Sequence, residues 1–283
     1  GMADQSQNAY SRALAIDSTY QPSVLGRALA SASLGQYDAA LDRELPDSRV
    51  RAFLLSRVGQ YAEAAKILDE AAKESAGSDE GAANASALLT SAWLQIERKQ
   101  YARALEELRA VEQALADEPD HRMLVFADLL WGLAEIGAGN VSNAAARLAS
   151  QKIRHDSDDE AQANWVAGLE GEIALAQRDY DRALVRFSAA EEPVWITLGG
   201  DTLSVFATNA PSRDGRARVE IARGNRAVAI EEYRRLTGPG ALGRPSAVLG
   251  PRYVLALARL VEQQGGAGSA RTQYGRLLTL WVN

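Results

Sequence analysis

Apolar residues recur along most of this chain at spacings of three and four, which is the pattern of helices that each bury one face. The clearest stretch begins at Gly59 and places Tyr61, Ala64, Leu68 and Ala71 in that order. A turn residue thus leads into an aromatic residue, and a small, a large and a second small residue follow on one face. The same order of residue types returns several times, which indicates a repeated helical unit.

Seven positions are equivalent to the tyrosine of that stretch, and each marks the start of the second helix of a unit. They are Tyr37, Tyr61, Tyr101, Val141, Tyr180, Arg226 and Ala267. The steps between them are 24, 40, 40, 39, 46 and 41 residues, which are lengths typical of helical hairpins. A lone hairpin would expose its outer apolar stripe, so each unit needs a neighbour. The sequence therefore predicts a stack of about seven helical hairpins.

Three parts of the chain depart from this repeat. Residues 4–16 have the pattern of a second helix whose first helix is missing. In residues 38–58, Pro46 cuts a helix short. Residues 192–212 alternate enough to suggest strands, but their apolar spacing also fits a helix broken at glycines. We expect an extra helix or an ordered insertion in this last segment.

The repeated unit resembles the tetratricopeptide repeat, a family of antiparallel helix pairs with a nominal period of about 34 residues. Besides the stretch from Gly59, the second-helix pattern is matched by Tyr180, Ala183, Phe187 and Ala190, and by Gly265, Ala270, Tyr274 and Leu277. The first-helix pattern is matched by Trp131-Gly132, by Leu257-Ala258 and by Ala217.

This resemblance covers essentially the whole chain and carries several expectations. It implies an all-α fold, a right-handed α-α superhelix, in which residues 1–283 form a single domain. It also implies a protein–protein interaction or scaffold role rather than catalysis. The segment 251–281 is further similar to repeat regions attached to bacterial signalling and regulatory proteins.

Composition adds a charge asymmetry and removes several classes of site. The net charge is −6, yet residues 211–260 hold ten arginines against four acidic residues. That segment could attract an anionic partner, although a solvated helix face with internal ion pairs is the plainer interpretation. The acidic chain as a whole argues against nucleic-acid binding. Without cysteine there is no disulfide, thiol nucleophile or thiolate metal site.

Location and processing stay open in the sequence. No apolar run approaches the length of about 20 residues that spans a bilayer, so membrane insertion is not expected. Gly1 ahead of Met2 indicates a tag scar, so a natural leader or a neighbouring domain could have been trimmed away. A cytoplasmic location is favoured, but the sequence does not fix the compartment or the oligomeric state.

Candidate catalytic motifs are unconvincing, and we expect neither an enzyme nor a cofactor or metal. The GxGxxG pattern at 238–243 follows a predicted helix rather than a strand, so we interpret it as a loop. The acidic run 155–160 lacks the glycine and final glutamate of a calcium loop and is better suited to a helix N-terminus. His121 and His155 lie in predicted turns without a neighbouring nucleophile motif.

A partner-binding face is the stronger prediction. In the resembled family the first helices line the concave side of the superhelix, and the corresponding inward positions run from apolar to charged. They are Leu89, Trp93, Phe126, Leu129, Leu133, Trp165, Glu172, Arg218, Arg252 and Arg259. Such a groove would suit a peptide or helix with an apolar anchor and an acidic end. The alternative is that the aromatic residues among them are core residues between hairpins.

A second function class is also consistent with the sequence. Residues 193–212 could serve as the lid of a small-ligand-binding sensory or regulatory domain, because long ordered insertions often carry function. An enclosed pocket bordered by Trp195 or Phe206 would favour that reading, and an open groove would favour a peptide scaffold.

Overall fold

The fold is that of a computed structural model, which describes residues 2–75, 81–117, 122–154, 160–190, 194–197, 204–208, 210–238 and 250–280. Over these residues it has fifteen helices and one two-stranded sheet. The helices are α1 (Met2–Ile16), α2 (Gln21–Ser33), α3 (Tyr37–Leu41), α4 (Ser48–Arg57), α5 (Tyr61–Ser75), α6 (Gly81–Glu97), α7 (Tyr101–Ala114), α8 (Arg122–Gly137), α9 (Val141–Arg154), α10 (Glu160–Ala176), α11 (Tyr180–Ala189), α12 (Ala210–Ala222), α13 (Arg226–Thr237), α14 (Gly250–Gln263) and α15 (Ala267–Leu280). The predicted all-α helical-repeat fold is confirmed.

The predicted repeat register is confirmed at every unit. Each of the seven equivalent positions is the first residue of a helix, namely of α3, α5, α7, α9, α11, α13 and α15. The alanine three residues later is at most 2% exposed in all seven cases: Ala40, Ala64, Ala104, Ala144, Ala183, Ala229 and Ala270. A small residue at this position lets two helix axes approach closely. The repeated alanines are therefore buried contact points of the second helices.

The turn before each second helix has one backbone conformation throughout. The residue two positions before the helix start has a positive φ in all seven turns: Gly35, Gly59, Lys99, Gly139, Arg178, Gly224 and Gly265. In the turn at Gly59, the amide of Gln60 donates to the carbonyl oxygen of Leu55 at 3.0 Å, which satisfies an end carbonyl of α4. Lys99 and Arg178 adopt the same geometry, with φ of 61° each, although their Cβ atoms disfavour it.

The chain divides into two compact units. The central unit comprises residues 65–224, and the terminal unit comprises residues 1–64 together with 225–283. The expectation of a single domain over 1–283 stays a prediction. Within the terminal unit, α1 packs on α2 and α2 on α3, while α13 packs on α14 and α14 on α15.

In the central unit the first helices form a continuous row. Helix α6 contacts α8, α8 contacts α10, and α10 contacts α12, whereas each second helix packs mainly on the first helices beside it. The main core lies between α6, α7 and α8, where Leu89, Leu108 and Leu130 are almost completely buried. Since the first helices pack on one another more extensively than the second helices do, they form the inner layer of this unit.

A repeated side-chain contact joins the two helices of each central hairpin. On the second helix, the residue lies six positions after the helix start; its partner on the first helix lies ten positions before that start. For the helix that starts at Tyr101, the pair is Glu107 and Ser91. The three contacts are Ser91 Oγ to Glu107 Oε1 at 3.0 Å, the Arg147 guanidinium 4.4 Å from the centre of the Trp131 ring, and Arg186 Nε to Glu170 Oε2 at 3.1 Å. One geometric position thus holds a hydrogen bond, a cation–π contact or an ion pair. In the first of them, burial raises the pKa of Glu107 even though Ser91 and Arg103 hydrogen-bond to its carboxylate.

Of the three predicted departures from the repeat, the two internal ones, 38–58 and 192–212, are irregular where the structure describes them. Helix α3 has only five residues, and α4 restarts at Ser48, where the Asp47 carboxylate caps it by accepting from the amide of Arg49 at 2.9 Å. Between α11 and α12, strands β1 (Val194–Thr197) and β2 (Ser204–Thr208) form an antiparallel hairpin. The extra helix is therefore wrong and the strand alternative is right. β-Branched and aromatic residues with period-two alternation outweighed the helical spacing.

Candidate functional site

The predicted binding residues occupy three repeated positions on the first helices. The first position lies eight residues before the start of the second helix of a unit. In five successive units it holds Trp93, Leu133, Glu172, Arg218 and Arg259. The positions twelve and fifteen residues before that start hold Leu89, Leu129, Phe126, Trp165 and Arg252. Those in the central unit belong to α6, α8, α10 and α12, which contact one another in this order.

Three aromatic rings contact one another across the central inner layer. The ring centroids of Trp93 and Phe126 are 6.2 Å apart and nearly perpendicular, at 81°. Those of Phe126 and Trp165 are 5.4 Å apart, with an angle of 48°. Each side chain is only partly buried, so the rings both join α6, α8 and α10 and keep part of their surface exposed. We call Trp93, Phe126 and Trp165 the aromatic row.

The alternative prediction, that these aromatic residues are core residues between hairpins, applies only in part. Trp93 and Phe126 do pack against the core formed by α6, α7 and α8, yet neither is enclosed by it. Such offset and edge-to-face ring pairs contribute about 0.5–1.5 kcal/mol each beyond the area they bury. The row thus stabilises the layer while remaining accessible along one side.

The three predicted leucines have different surroundings. Leu89 is 1% exposed and belongs to the core between α6, α7 and α8, so it offers no surface to a partner. Leu129 and Leu133 are partly buried and pack against the neighbouring core around Leu148 and Leu169. Only these two extend the accessible apolar surface beside the aromatic row.

The charged end of the central face is an ion-pair cluster rather than a free basic patch. Arg218 on α12 donates from both terminal nitrogens to the carboxylate of Glu172 on α10, one of these bonds measuring 2.9 Å. Its Nε donates to Asp214 Oδ2 at 3.1 Å. The Arg218 side chain is 37% exposed, and the carboxylates of Glu172 and Asp214 are 18% and 17% exposed. Arg218 is therefore already bound to two acidic groups.

The remaining predicted arginines lie in the terminal unit, on α14. Arg252 is exposed, and its guanidinium lies 4.7 Å from the ring centre of the neighbouring Tyr253 and donates to that tyrosine's hydroxyl at 2.8 Å. Arg259 is also exposed. These two arginines belong to the terminal unit, and the Glu172–Arg218–Asp214 cluster belongs to the central unit.

Sequence reasoning missed two residues of the central face. Asp214 was detectable as an acid four residues before Arg218 on one helix. Gly168 occupies the repeat position held by Leu89 and Leu129 in the preceding units, so counting back from Tyr180 would have found it. Among the described residues, no atom comes within 4 Å of a Cβ built on Gly168.

The sequence motifs with catalytic potential lie largely outside the described residues. This applies to His121, His155, most of the acidic run 155–160 and nearly all of the glycine pattern 238–243. Where the structure is described, no group of three or more histidine or acidic side chains is placed to hold a metal ion. In the same part of the chain, no helix combines the length and apolar character required to cross a bilayer.

Comparison with known proteins gives no family membership. No protein-family model matches the chain. A 2-isopropylmalate synthase of Neisseria gonorrhoeae (strain ATCC 700825 / FA 1090) is 28% identical over 159 residues, which are 55% of this chain and 25% of that enzyme. The chain thus spans a quarter of the curated relative it matches.

Two solved structures have partial similarity to the fold. The crystal structure of the APC/C hetero-tetramer Cut9–Hcn1 aligns with 97% of this chain and 49% of that chain, at 15% identity and a TM-score of 0.46. The structure of Naa15/Naa10 bound to HypK-THB aligns with 98% of this chain and 42% of that chain, at 15% identity and a TM-score of 0.31. Function is therefore argued from the side chains of this chain.

Proposed function

We propose that the chain is a non-catalytic interaction module that binds a peptide or helix of another protein along the aromatic row. The carrying observation is that three partly exposed rings touch in sequence across three consecutive first helices. Aromatic residues are enriched among the residues that dominate binding energy at protein interfaces. Because the rings are held by one another, little side-chain freedom is lost when a partner covers them.

The dimensions of the row favour a short amphipathic partner. The two centroid separations of 6.2 and 5.4 Å reach at most about 12 Å together, roughly two turns of α-helix. Apolar side chains at positions i, i+4 and i+7 of a partner helix would cover that length. Leu129 and Leu133 extend the apolar surface on the same helix, α8.

The acidic end of the predicted partner has less support in the central unit. Arg218 is bound to Glu172 and Asp214, so an acidic group arriving there would meet two carboxylates as well as the guanidinium. Arg252 and Arg259 are exposed on α14 of the terminal unit, so they are a separate candidate for binding an acidic group there. Reversing both charges, as Arg252→Glu with Arg259→Glu, should weaken binding of acidic peptides to that unit if they take part. Unchanged affinity would remove them as binding residues.

Selection from a phage-displayed library of random twelve-residue peptides tests the proposal. The wild-type chain should enrich sequences with apolar residues at helical spacing, and Phe126→Ser should fail to enrich or bind them. Val185→Ser is the control, because Val185 is a 65% exposed apolar residue on α11, away from the row. Thermal melts must show that Phe126→Ser is folded at the selection temperature. Equal binding by wild type and folded Phe126→Ser would contradict the proposal.

The β-hairpin supports a second candidate, a small-ligand-binding regulator with the hairpin as its lid. Helix α11 runs back along α10 from the turn at 177–179, so it ends near the level of Trp165, and β1 contacts α10. Trp195 pairs with Ala207, and Phe206 pairs with Ile196. Replacing residues 194–208 by a glycine–serine linker separates the two functions. Peptide binding should survive the replacement if the chain is a scaffold, whereas a lid would be needed for any ligand it encloses.

A further inference from the structure

We propose that Gly168 is a specificity-determining notch on α10 that admits a lysine or arginine side chain of the bound peptide. The inference rests on the proposed peptide-binding function and adds the chemistry of one partner residue. The stem of the partner's side chain would cross Gly168, with its cationic head between the Trp165 ring and the Glu172 carboxylate.

The first argument is that no packing contact explains this glycine. A glycine inside a helix costs about 1 kcal/mol relative to alanine. Other helix glycines of the central unit are required by close contacts: a Cβ on Gly132 would lie 2.7 Å from Leu169, and one on Gly171 would lie 2.7 Å from the Phe187 ring. A Cβ on Gly168 meets no described atom within 4 Å. The missing side chain leaves open space instead of allowing a close approach.

The second argument is the chemistry on either side of the gap. Trp165, Gly168 and Glu172 stand at i, i+3 and i+7, so they form one stripe along α10. Side chains of a helix lean toward its N-terminus, which brings the carboxylate of Glu172 back toward Gly168. An aromatic ring, a gap and a carboxylate in a line match the apolar stem and charged head of a basic side chain.

The third argument is that Glu172 has remaining capacity to accept hydrogen bonds. Its two oxygens each accept one N–H of Arg218, and a carboxylate has about four acceptor sites. With 18% of the side chain exposed, the carboxylate is still open to a second donor. A neutral apolar side chain in the notch would leave that capacity unused, whereas a cation would pair with it.

The same phage-display selection tests the notch, because the sequences of the enriched peptides show whether a basic residue is preferred. Peptides enriched on the wild-type chain should carry lysine or arginine at one fixed spacing from the apolar anchors. Gly168→Leu should fill the notch and still enrich the apolar pattern, but without the basic residue. Gly275→Leu is the matched control, since Gly275 also lies inside a helix with nothing described within 4 Å of its Cβ, on α15 of the terminal unit. It should return the wild-type sequences.

A direct affinity measurement separates the two proposals. For one enriched peptide, replacing the basic residue by norleucine should weaken binding to wild type by about fivefold in fluorescence anisotropy, and to Gly168→Leu hardly at all. A wild-type consensus without lysine or arginine, or the same basic preference in Gly168→Leu, would overturn the notch while leaving the aromatic row standing. Enrichment that is insensitive to Phe126→Ser would instead overturn the proposed function and the notch with it.

Discussion

Arg147 and Arg218 of the central unit each bind two carboxylates, and a difference in burial gives the two clusters different roles. Arg147 on α9 donates to Glu112 of α7 and, from Nε at 2.5 Å, to Asp128 of α8. Arg218 on α12 donates to Glu172 of α10 and to Asp214 of its own helix. The Asp128 side chain is 1% exposed, while Glu172 and Asp214 are each nearly a fifth exposed.

Burial decides what such a cluster contributes. Around Arg147, the guanidinium also lies over the Trp131 ring and joins three helices, with the Asp128 carboxylate buried and the Glu112 carboxylate 34% exposed. A buried carboxylate that loses its cationic partner carries a large desolvation cost. Around Arg218, solvent reduces both the attraction between the charges and the cost of separating them. The first cluster therefore fixes the helix packing, and the second remains available to a partner.

The largest expected effect is that of removing the buried arginine. Arg147→Ala should lower the free energy of unfolding by about 3 kcal/mol, because the carboxylate of Asp128 stays buried without that guanidinium. Arg223→Ala is the control, since its partner Asp181 is 91% exposed and this ion pair should contribute under about 1 kcal/mol. Urea unfolding measures both. Equal losses in the two variants would show that burial does not distinguish these ion pairs.

The next effect compares the packed and open sides of α10, the helix that carries Glu172. Gly171→Ala should destabilise by about 1–3 kcal/mol, because its Cβ would lie 2.7 Å from the Phe187 ring. Gly168→Ala should stabilise by about 0.5–1 kcal/mol, because it meets no described atom and removes a helix-interior glycine. A lower melting temperature for Gly171→Ala together with a higher one for Gly168→Ala would show that the Gly168 side of α10 is the open one. A loss of stability in Gly168→Ala would place that glycine in a packed contact.

A smaller effect is expected for the half-exposed cluster. Arg218→Ala should cost about 1 kcal/mol at low ionic strength, and less in 1 M salt, because screening weakens exposed ion pairs. The loss in Arg147→Ala should depend less on salt, since the Asp128 carboxylate is 1% exposed even though that of Glu112 is 34% exposed. Urea unfolding measures the loss of stability of Arg218→Ala and of Arg147→Ala, each at low ionic strength and in 1 M salt. A salt-independent loss in Arg218→Ala would mean that this cluster is as enclosed as the first.

The smallest expected change in stability comes from a turn between helices. This turn lies outside the Arg147 and Arg218 clusters. Lys99→Gly should stabilise the protein by a few tenths to about 1 kcal/mol, because the lysine has a φ of 61° where five other turns use glycine. Lys66→Gly, inside α5, should cost about 1 kcal/mol and serves as the opposite case. Differential scanning calorimetry resolves the sign. A destabilised Lys99→Gly would show that the lysine side chain makes a contact that outweighs its backbone strain.

The repeat register was predictable because it follows from local spacing. Tyrosine or its equivalent begins each second helix, and the alanine three residues on, such as Ala104 or Ala183, is buried. Helical periodicity and the need of a lone hairpin for a neighbour were sufficient for that prediction. The resemblance to tetratricopeptide repeats, applied in this register, implied that Trp93, Phe126 and Trp165 lie on the inner side of the first helices.

What escaped prediction depends on contacts between distant parts of the chain. Leu89 and Leu129 share one repeat position, yet only Leu89 is enclosed, and no local pattern distinguishes them. The hairpin of β1 and β2 was ambiguous because its apolar spacing fits both a strand and a broken helix, and inter-strand pairing decided between them. The ion pair between Arg218 and Glu172 was not predicted, because the two residues are 46 positions apart in the chain.

By itself, then, the sequence determined the start of each second helix and the seven-fold register. These follow from spacing within a single turn or two of helix, where each residue's neighbours are fixed by chain connectivity. Only the tertiary structure decided that the rings touch, that Arg147 and Arg218 each hold two carboxylates, and that no described side chain fills the space over Gly168. Such properties depend on which side chains of neighbouring helices come within contact distance, and a one-dimensional pattern carries no measure of that distance.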